Sequence, residues 1–575
     1  MSRSALCRPG GQASGSLRRG WRGGPSLAFA GLLFLPGCYT GARSFDSHDP
    51  TGDSGGDADG GGTSGGDESG DSSGGDEGVV CEPGLVEAST AVLRSLTTTQ
   101  YRNTMVDLLG ATVADEQSLA LLELNNDGEQ GGFASTTAGF DEELSRRYLQ
   151  LAEGLAERYV GEALPQALTC DWAEVACMQT LLDGFGRRVF RRPLTADERA
   201  DYMGIYTTIR EDYGASLGVQ TLVVALLSSP SLLYLEEPVR AMPAEADASV
   251  VPLDAYGIAT RLSFFLWGSV PDDALLDAAE AGQLDAPEGI EQQVDRMMND
   301  PRFMRAVEDF HTQWLHVDGL GDGPLQRSMK QELATFVEHV FTAGDATVEA
   351  LLGASYSFID DELAAIYGVE APAAPFEQTE LDPQRRSGVL TQLGFLHHTG
   401  EIFPEVHRGL FVRQSLLCDT LPPPPEGAVE SNDSLETSRL EAPACGGCHQ
   451  LTDLIGHGFD NYDGMGQFQA QTAEGEPIVA EGEIRPFTDE GLEGTFETIP
   501  ELAQLLIGSE HVERCFAVQW SRYALQRIEG AEDQCTIDRI AGNVTASQGD
   551  LRQLVYDIAT SEWFRSRAVT DFDAP

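Results

Sequence analysis

The chain has 575 residues and a formal net charge of −55. Its length exceeds that of one ordinary domain, so we expect several folded units. An acidic surface repels phosphate backbones, which argues against a nucleic-acid partner.

Residues 1–38 are predicted to form a lipoprotein-type signal segment. A basic stretch precedes the apolar run SLAFAGLLFLPGC, which ends at Cys38 and is too short to span a bilayer. The letters LPGC resemble a bacterial lipobox, in which the chain is cut before the cysteine and the cysteine is lipidated. Ordinary signal cleavage, with Cys38 unmodified, is the alternative. We expect an exported lipoprotein of the cell envelope, anchored in a bacterial membrane at the outer membrane or facing the periplasm.

Residues 39–80 are predicted to be a disordered acidic tether. The segment consists mainly of Gly, Ser and Asp and offers almost no apolar surface to bury. Such a composition cannot offset the entropy lost on folding. A tether next to a lipidated cysteine would hold the globular body away from the membrane.

The remaining chain has mainly helical patterns. Capping boxes at Thr97–Gln100 and Thr195–Glu198 each precede apolar residues at helical spacing, and Gly110 ends the first of these helices. The run VQTLVVALL is almost entirely apolar and predicts a buried helix. We predict a mainly α fold built from several helical units packed in sequence, with short strands near the C-terminal side.

Disulfides are expected because the protein is predicted to be exported. Cys170 and Cys177 are seven residues apart and can close a small loop. Cys515 lies on a predicted helix and Cys535 follows the next turn, so a bond between them would join two helices. The connectivity itself cannot be derived from the sequence.

The segment APACGGCHQL contains Cys445, Cys448 and His449 in the spacing C-x-x-C-H. Two such cysteines can form thioethers to haem, and the adjacent histidine can bind its iron. A zinc site is an alternative, but the sequence has no second C-x-x-C or C-x-x-H pair. A redox dithiol would need a preceding strand, which the proline-rich approach does not supply, and a structural disulfide or free thiols stay open. We predict one covalent haem c, held in a small haem-c-like module.

The sixth iron ligand is left open by the sequence. Met465 is the only methionine after the motif and is the natural thioether ligand, although only sixteen residues separate it from His449. A site without a sixth protein ligand would favour small-molecule chemistry over electron transfer. The competing histidines are His397, His398, His407 and His457.

Several longer motifs occur in a characteristic order. They are LTTTQYRNTMVDLLG, FGRRVFRRPLTADE, RLSFFLWGSVPDDALLDAA, RSGVLTQLGFLHHTG, CGGCHQLTDLIGHGFDNYDGMG and ELAQLLIGSEHVERCFAVQWSRYALQR. From about Ala91 to Arg567, the chain resembles the planctomycete and myxobacterial multi-domain family called planctomycete cytochrome-C-like. This family is built from the domains of unknown function 1587, 1595, 1592, 1588 and 1585.

The resemblance implies five consecutive domains and assigns the haem attachment to the C-x-x-C-H motif. The helical domains are expected at residues 81–160 (1587-like), 165–240 (1595-like), 250–385 (1592-like) and 495–570 (1585-like), with the motif-bearing domain at 386–490 (1588-like). Gln467 and Gln469 stand where arginine is common in the family. Because an arginine there could pair with a haem propionate, these two residues leave the neutralisation of the propionates unexplained.

Three functions are consistent with these features. The first is electron transfer at the cell envelope through one haem, with an unidentified redox partner protein. The second is a lipid-tethered binding protein, for example for a polysaccharide, in which the cysteine pair is structural. The third is a haem enzyme with an open coordination site. The sequence favours the first and leans against an enzyme, and haem content and carbon monoxide binding would separate the three.

Overall fold

The computed structural model describes residues 93–115, 119, 128–136, 141–240, 250–400, 403–422, 440, 446–488 and 491–568. The chain divides into two compact units, residues 1–76 and 77–575, and all described residues belong to the second. The predicted signal segment with Cys38, the tether and Cys445 lie outside the described residues.

The N-terminal half of the described chain consists of helices joined by short turns. The predicted capping boxes at Thr97 and Thr195 are present, and Gly110 ends the first helix with a φ of 88°. The helices are Thr98–Leu109 (α1), Glu142–Arg158 (α2), Leu164–Ala167 (α3), Val175–Leu181 (α4), Arg187–Phe190 (α5), Ala196–Tyr213 (α6), Ala215–Leu227 (α7) and Pro230–Leu233 (α8). π-Helical turns at Tyr159–Ala163 and Leu182–Gly186 join α2 to α3 and α4 to α5.

Helices also form most of the remaining chain. They are Ala255–Trp267 (α9), Asp273–Glu280 (α10), Pro287–Met298 (α11), Phe303–Trp314 (α12), Pro324–Thr342 (α13), Val348–Gly353 (α14), Asp361–Tyr367 (α15), Leu393–Gly400 (α16), Pro404–Phe411 (α17), Gly446–Gly456 (α18), Ile499–Leu506 (α19), Glu510–Leu525 (α20), Gln534–Ala546 (α21) and Leu551–Thr560 (α22). The prediction of a mainly α fold is confirmed.

The strands are short and pair only two at a time in the described part of the chain. They are Arg94–Ser95 (β1), Gly128–Gln130 (β2), Phe133–Ser135 (β3), Tyr234–Leu235 (β4), Val250–Pro252 (β5), Tyr356–Ile359 (β6), Glu377–Glu380 (β7), Gly482–Ile484 (β8), Gly494–Phe496 (β9) and Ser566–Ala568 (β10). The antiparallel pairs are β1 with β4, β2 with β3, β5 with β10, β6 with β7, and β8 with β9.

Two hydrophobic cores organise the described residues. One is formed by side chains between Leu96 and Leu235 together with Phe264 and Val270. The other extends from Leu253 to Phe564 and takes in Phe133 from the early hairpin. The later helical units are therefore not independent of one another, because they share a single core.

The centre of the second core is a cluster of aromatic rings. Phe310 on α12 stacks on Trp520 on α20, with ring centroids 3.8 Å apart and an interplanar angle of 9°. Trp314 contacts both Phe411 and Phe516. Helices far apart in the sequence thus meet around these rings, and α17, which packs against the motif helix, is attached to them through Phe411.

Among the described residues, none of the helices is both long enough and apolar enough to cross a membrane.

Candidate functional site

The motif helix α18 has a buried half and a more open half. Its C-terminal half buries Thr452, Asp453 and Ile455, whereas its first turn carries the exposed Gly447 and the half-buried Cys448. A Cβ added at Gly447 would meet no heavy atom within 4 Å. Gly447 therefore faces open space although its neighbour Gly446 is buried, and Cys448 beside it is a free thiol.

His449 is oriented by a buried carboxylate one helical turn away. Its Nδ1 lies 3.0 Å from Oδ1 and 3.1 Å from Oδ2 of Asp453, whose side chain is only 2% exposed. Thr452 Oγ1 donates to the same carboxylate at 2.9 Å. A carboxylate facing Nδ1 favours the tautomer that carries its proton there and leaves the Nε2 lone pair free for a metal. The His449 side chain is 26% exposed, so Nε2 has access to a ligand.

Helix α17 holds α18 at very short range through glycines. A Cβ built at Gly409 would lie 1.9 Å from the carbonyl oxygen of Thr452, and one at Gly456 would lie 1.7 Å from that of Glu405. Neither position has space for any other residue. These contacts make the two helices antiparallel, with Glu405 beside the C-terminal end of α18.

Two buried arginines fix the same helix pair through backbone carbonyls. Arg408 donates to the carbonyl oxygens of Phe459 and Tyr462 at 3.2 and 2.9 Å. Arg413 donates from Nε to the carbonyl oxygen of Leu451 at 2.8 Å, and its side chain is 1% exposed. Burial lowers the pKa of Arg408 to about 10, so it is still charged at neutral pH. The sequence analysis overlooked both arginines, because isolated basic residues resemble surface residues.

A more exposed arginine lies beside the motif. Arg485 Nη1 donates to Oε1 of Gln450 at 2.7 Å, and its side chain is 40% exposed. Its carbonyl oxygen also accepts from Arg413. A positive charge is therefore held next to the residue that follows His449, within reach of solvent.

Met465 lies beyond the other end of α18. Its backbone N–H donates to Oδ1 of Asp463 at 2.9 Å, and the neighbouring carbonyl oxygen of Gly464 lies 3.0 Å from Nδ1 of His397. His449 is seven residues before the end of the helix at Gly456, which corresponds to about 10 Å of helix axis. The described contacts therefore hold Met465 away from the His449 end.

The competing histidines are also bound elsewhere. His457 follows the C-terminal end of α18, with Nδ1 3.2 Å from Asp460 Oδ2. His398 stacks on His316 with ring centroids 5.8 Å apart. Burial lowers the pKa of His407. The described contacts place no sixth iron ligand from the sequence-derived set beside His449.

Gln467 and Gln469 have a structural partner. The backbone N–H of Gln467 donates to Asp463 Oδ1 at 2.9 Å, and Gln469 Nε2 lies 3.3 Å from Asp463 Oδ2. These side chains belong to the loop beyond the helix end and not to the motif turn. Asp463 is the charged group that both residues contact, through the backbone of Gln467 and the side chain of Gln469.

The cysteines outside the motif form disulfides with a different connectivity from the one considered above. Cys170 is bonded to Cys177. The pairing of Cys515 with Cys535 is wrong, because Cys515 is bonded to Cys418, 97 residues away. Cys535 is disulfide-bonded to a partner outside the described residues. The sequence spacing gave the wrong partner for Cys515, because α20 packs against the chain that follows α17 and thereby brings Cys515 next to Cys418.

No group of three or more His, Cys, Asp or Glu side chains that could hold a metal ion occurs in the described residues. Cys445 is not one of those residues. The donor set at the motif fits covalent haem on the features present: a free thiol at Cys448, an imidazole with Nε2 available, and an open first turn.

Asp453 is a residue of the candidate site to which the sequence pattern gave no role. It follows His449 by four residues, which places both side chains on the same face of a helix. The four-residue spacing is visible in the sequence and is enough to predict the contact between His449 and Asp453.

Five family models match the chain, each described as a protein of unknown function. They are DUF1587 at residues 94–161, DUF1595 at 177–237, DUF1592 at 253–369, DUF1588 at 386–472 and DUF1585 at 493–564. The DUF1588 match contains the motif. No curated protein and no solved structure matches the chain.

Proposed function

Because the chain belongs to the multi-domain family of the domains of unknown function 1587, 1595, 1592, 1588 and 1585, of which the 1588 model has the cytochrome-like name PSCyt3, we propose that it carries one covalent haem c and transfers electrons at the cell envelope. Cys445 and Cys448 would provide the thioethers and His449 the axial ligand. The observation that carries this proposal is the contact between His449 Nδ1 and Asp453 at 3.0 Å.

Each residue at the motif has a defined task in this proposal. Asp453 fixes the tautomer and the ring orientation of His449, and hydrogen bonding to a carboxylate makes the imidazole a more basic ligand. Arg413 and the glycine contacts hold the backbone of the C-terminal half of α18, so the motif turn extends from a fixed segment. Arg485, whose Nη2 also pairs with Glu483 at 3.1 Å, would bind a propionate in exchange for that carboxylate. The bound haem would supply one-electron chemistry of its iron.

The first test is haem attachment. The full chain, with its signal segment, would be expressed in a bacterium that has a haem c maturation system. We expect a c-type pyridine haemochrome band and a mass increase of one haem, both lost in Cys448→Ala. Absence of haem, with Cys445 and Cys448 oxidised to each other, would instead support a tethered binding protein.

The second test is specific to Asp453. In Asp453→Asn the amide can no longer act as an anionic acceptor, so the axial imidazole becomes less basic and the reduction potential should rise while haem stays attached. In the haem-free protein, ¹⁵N NMR of His449 should show protonation moving from Nδ1 toward Nε2. Asp460→Asn, beyond the far end of α18 and after the turn His457–Phe459, is the control. Unchanged potential and unchanged tautomer in Asp453→Asn would contradict the assigned role.

The position of Met465 favours a second candidate, a haem protein with an open sixth position that binds small molecules. Carbon monoxide binding to the reduced protein distinguishes the two. Rapid binding that is unaffected in Met465→Ala supports the open site, whereas slow binding that becomes rapid in Met465→Ala supports electron transfer with a methionine ligand.

We further propose that Cys38 is lipidated and that residues 39–80 tether the body to a membrane, with a redox protein of the envelope as partner. The support is the LPGC sequence and the Gly/Ser/Asp composition. Radiolabelled fatty acid should be incorporated into the full chain and not into Cys38→Ala. Equal labelling of both would reject the anchor.

A further inference from the structure

A small cavity lies where four of the matched segments meet. Its volume is about 20 Å³. The lining residues come from β1 and α1, from the segment at Leu235 and Glu237, from α9, and from the end of α20. A single buried water needs a cavity of roughly 10–15 Å³, so this cavity holds one water or one ion of similar size.

The charges that line the cavity do not balance. Two guanidinium groups, Arg94 and Arg261, face one carboxylate, Glu237. Their side chains are 11%, 8% and 11% exposed. The polar but uncharged lining residues, such as Gln100, Thr260 and Gln526, add no negative charge. The lining therefore has a net charge of +1 in a protein whose overall charge is strongly negative.

Arg261 binds both oxygens of the Glu237 carboxylate. Its Nε and Nη2 donate to the two oxygens of Glu237 at 2.8 Å each, and its Nη1 donates to the carbonyl oxygen of Ser566 at 2.9 Å. The pKa of Glu237 is lowered to about 2, since the attraction of Arg261 and Arg94 overcomes the opposing effect of burial. The carboxylate thus stays ionised, and its charge is already matched by Arg261.

Arg94 has the weaker set of partners. Its Nη1 donates to Gln526 Oε1 at 2.6 Å, and its Nη2 lies 3.8 Å from Glu237, which is too far for a hydrogen bond. Burial is the main cause that lowers the pKa of Arg94 to about 10, and the guanidinium groups of Arg261 and Arg527 act in the same direction. Arg527 is itself matched by Asp533, at 2.6 Å. A buried positive charge with so few partners is costly unless a counter-charge is present.

We propose that this cavity binds one small monovalent anion, chloride, beside the guanidinium group of Arg94. The anion would supply the missing negative charge. It would also accept hydrogen bonds from N–H groups of Arg94 that bind neither Gln526 nor Glu237 among the described residues. The volume matches a halide-sized ion. Because the site joins segments that are distant in the sequence, an occupied site would stabilise their packing.

The test compares chloride with a large anion at constant ionic strength. Sodium chloride would replace sodium gluconate while the thermal unfolding of the intact haem-free chain is followed. Because only the folded state binds the ion, Tm should rise saturably, by about 1–3 °C at ten times the dissociation constant. A crystal grown with bromide should show an anomalous peak beside Arg94.

Two variants keep the proposal falsifiable. Arg94→Met should abolish the chloride response, whereas the control Arg146→Met, on a side chain 51% exposed, should retain it. Glu237→Gln raises the positive charge of the lining and should make Tm more dependent on chloride than in the parent, even if Arg94→Met does not fold. The proposal would be overturned if Tm were the same in sodium chloride and in sodium gluconate. It would also be overturned if the crystal grown with bromide showed only water in the cavity.

Discussion

The aromatic core around Trp520 and the pair of helices α17 and α18 are both buried, but different forces hold them. In the core, large rings stack on one another, as Phe310 does on Trp520 at 3.8 Å. In the helix pair, Gly409 and Gly456 allow the two backbones to touch, and Arg413 donates directly to a carbonyl oxygen of the motif helix. One region is held through side chains and the other mainly through backbone.

This difference has a functional meaning. A helix that is fixed through its backbone can leave its side chains free for chemistry, and the first turn of α18 does so with Cys448 and His449. In the aromatic core, by contrast, the side chains themselves make the packing contacts. The contrast also predicts different tolerance, because side-chain packing can readjust whereas a backbone contact cannot.

The largest effect is expected from Gly456→Ala. The added methyl group would overlap the carbonyl oxygen of Glu405, so the helix pair must separate, at a cost of more than about 4 kcal/mol in the free energy of unfolding. Gly447→Ala, on the same helix but in open space, is the matched control and should leave the stability unchanged or raise it by up to about 1 kcal/mol. Urea unfolding and the reactivity of the Cys448 thiol would measure both. Equal stability of the two variants would show that the backbone contact at Gly456 does not hold the helix pair together.

The next effect concerns the disulfide that encloses the motif helix. Cys418 and Cys515 close a loop of 97 residues, whereas Cys170 and Cys177 close one of seven. Since loop entropy grows with length, replacing the first pair by serine should cost about 4–5 kcal/mol and replacing the second about 2 kcal/mol. Urea unfolding of the two double variants gives the comparison. Equal costs would show that the motif region does not depend on its disulfide.

A third effect is the pH dependence of a buried carboxyl group near the core. Burial raises the pKa of Glu332 to about 7, and its Oε1 accepts from Ser357 Oγ at 2.6 Å. The folded state therefore retains a proton that the unfolded state loses above about pH 4.3. This contribution to stability is complete below that pH and is lost as pH rises through about 7, a change of about 3 kcal/mol.

Glu332→Gln should flatten this pH dependence and stabilise the protein at pH 8, as measured by urea unfolding from pH 4 to 8. Glu338→Gln, at an exposed position of the same helix, should leave the profile unchanged. The helix pair differs here, because its buried Arg408 stays charged across this range. An unchanged profile in Glu332→Gln would show that Glu332 is ionised in the folded protein.

The smallest effect is expected from Trp520→Phe in the aromatic core. The indole Nε1 of Trp520 has no hydrogen-bond partner among the described residues, so its removal leaves no polar group unpaired. The ring that stacks on Phe310 is kept, and the loss of volume should cost about 1–2 kcal/mol. Thermal unfolding measures this, with Cys448 reactivity expected to stay at the parental level. A loss above that of Gly456→Ala would reverse the contrast between the two regions.

Local features of the fold could be predicted from the sequence. The capping boxes at Thr97 and Thr195 are encoded within four residues each, so they were found with their boundaries. The order of the five domains followed from the motifs. The C-x-x-C-H motif located the candidate site because its spacing is compact.

Contacts between distant segments could not be predicted. The bond between Cys418 and Cys515 depends on how α20 packs against the α17 segment, which no local pattern records. The role of Gly409 is likewise invisible until Thr452 is placed against it. The pairing of His449 with Asp453 is an intermediate case, since four-residue spacing encodes it but only the burial of Asp453 shows its importance.

The pairing of β5 with β10 constrains when the protein can fold. Val250–Pro252 lies near the middle of the chain, and its partner Ser566–Ala568 is more than 300 residues later. A chain that emerges N-terminus first can complete its first core early, but the second core lacks Trp520 and the closing strand until nearly all of the chain has emerged. Contacts of such long sequence separation form slowly and leave apolar surface exposed in the meantime. The motif helix Gly446–Gly456 therefore emerges before Trp520 and before the strand that closes the second core.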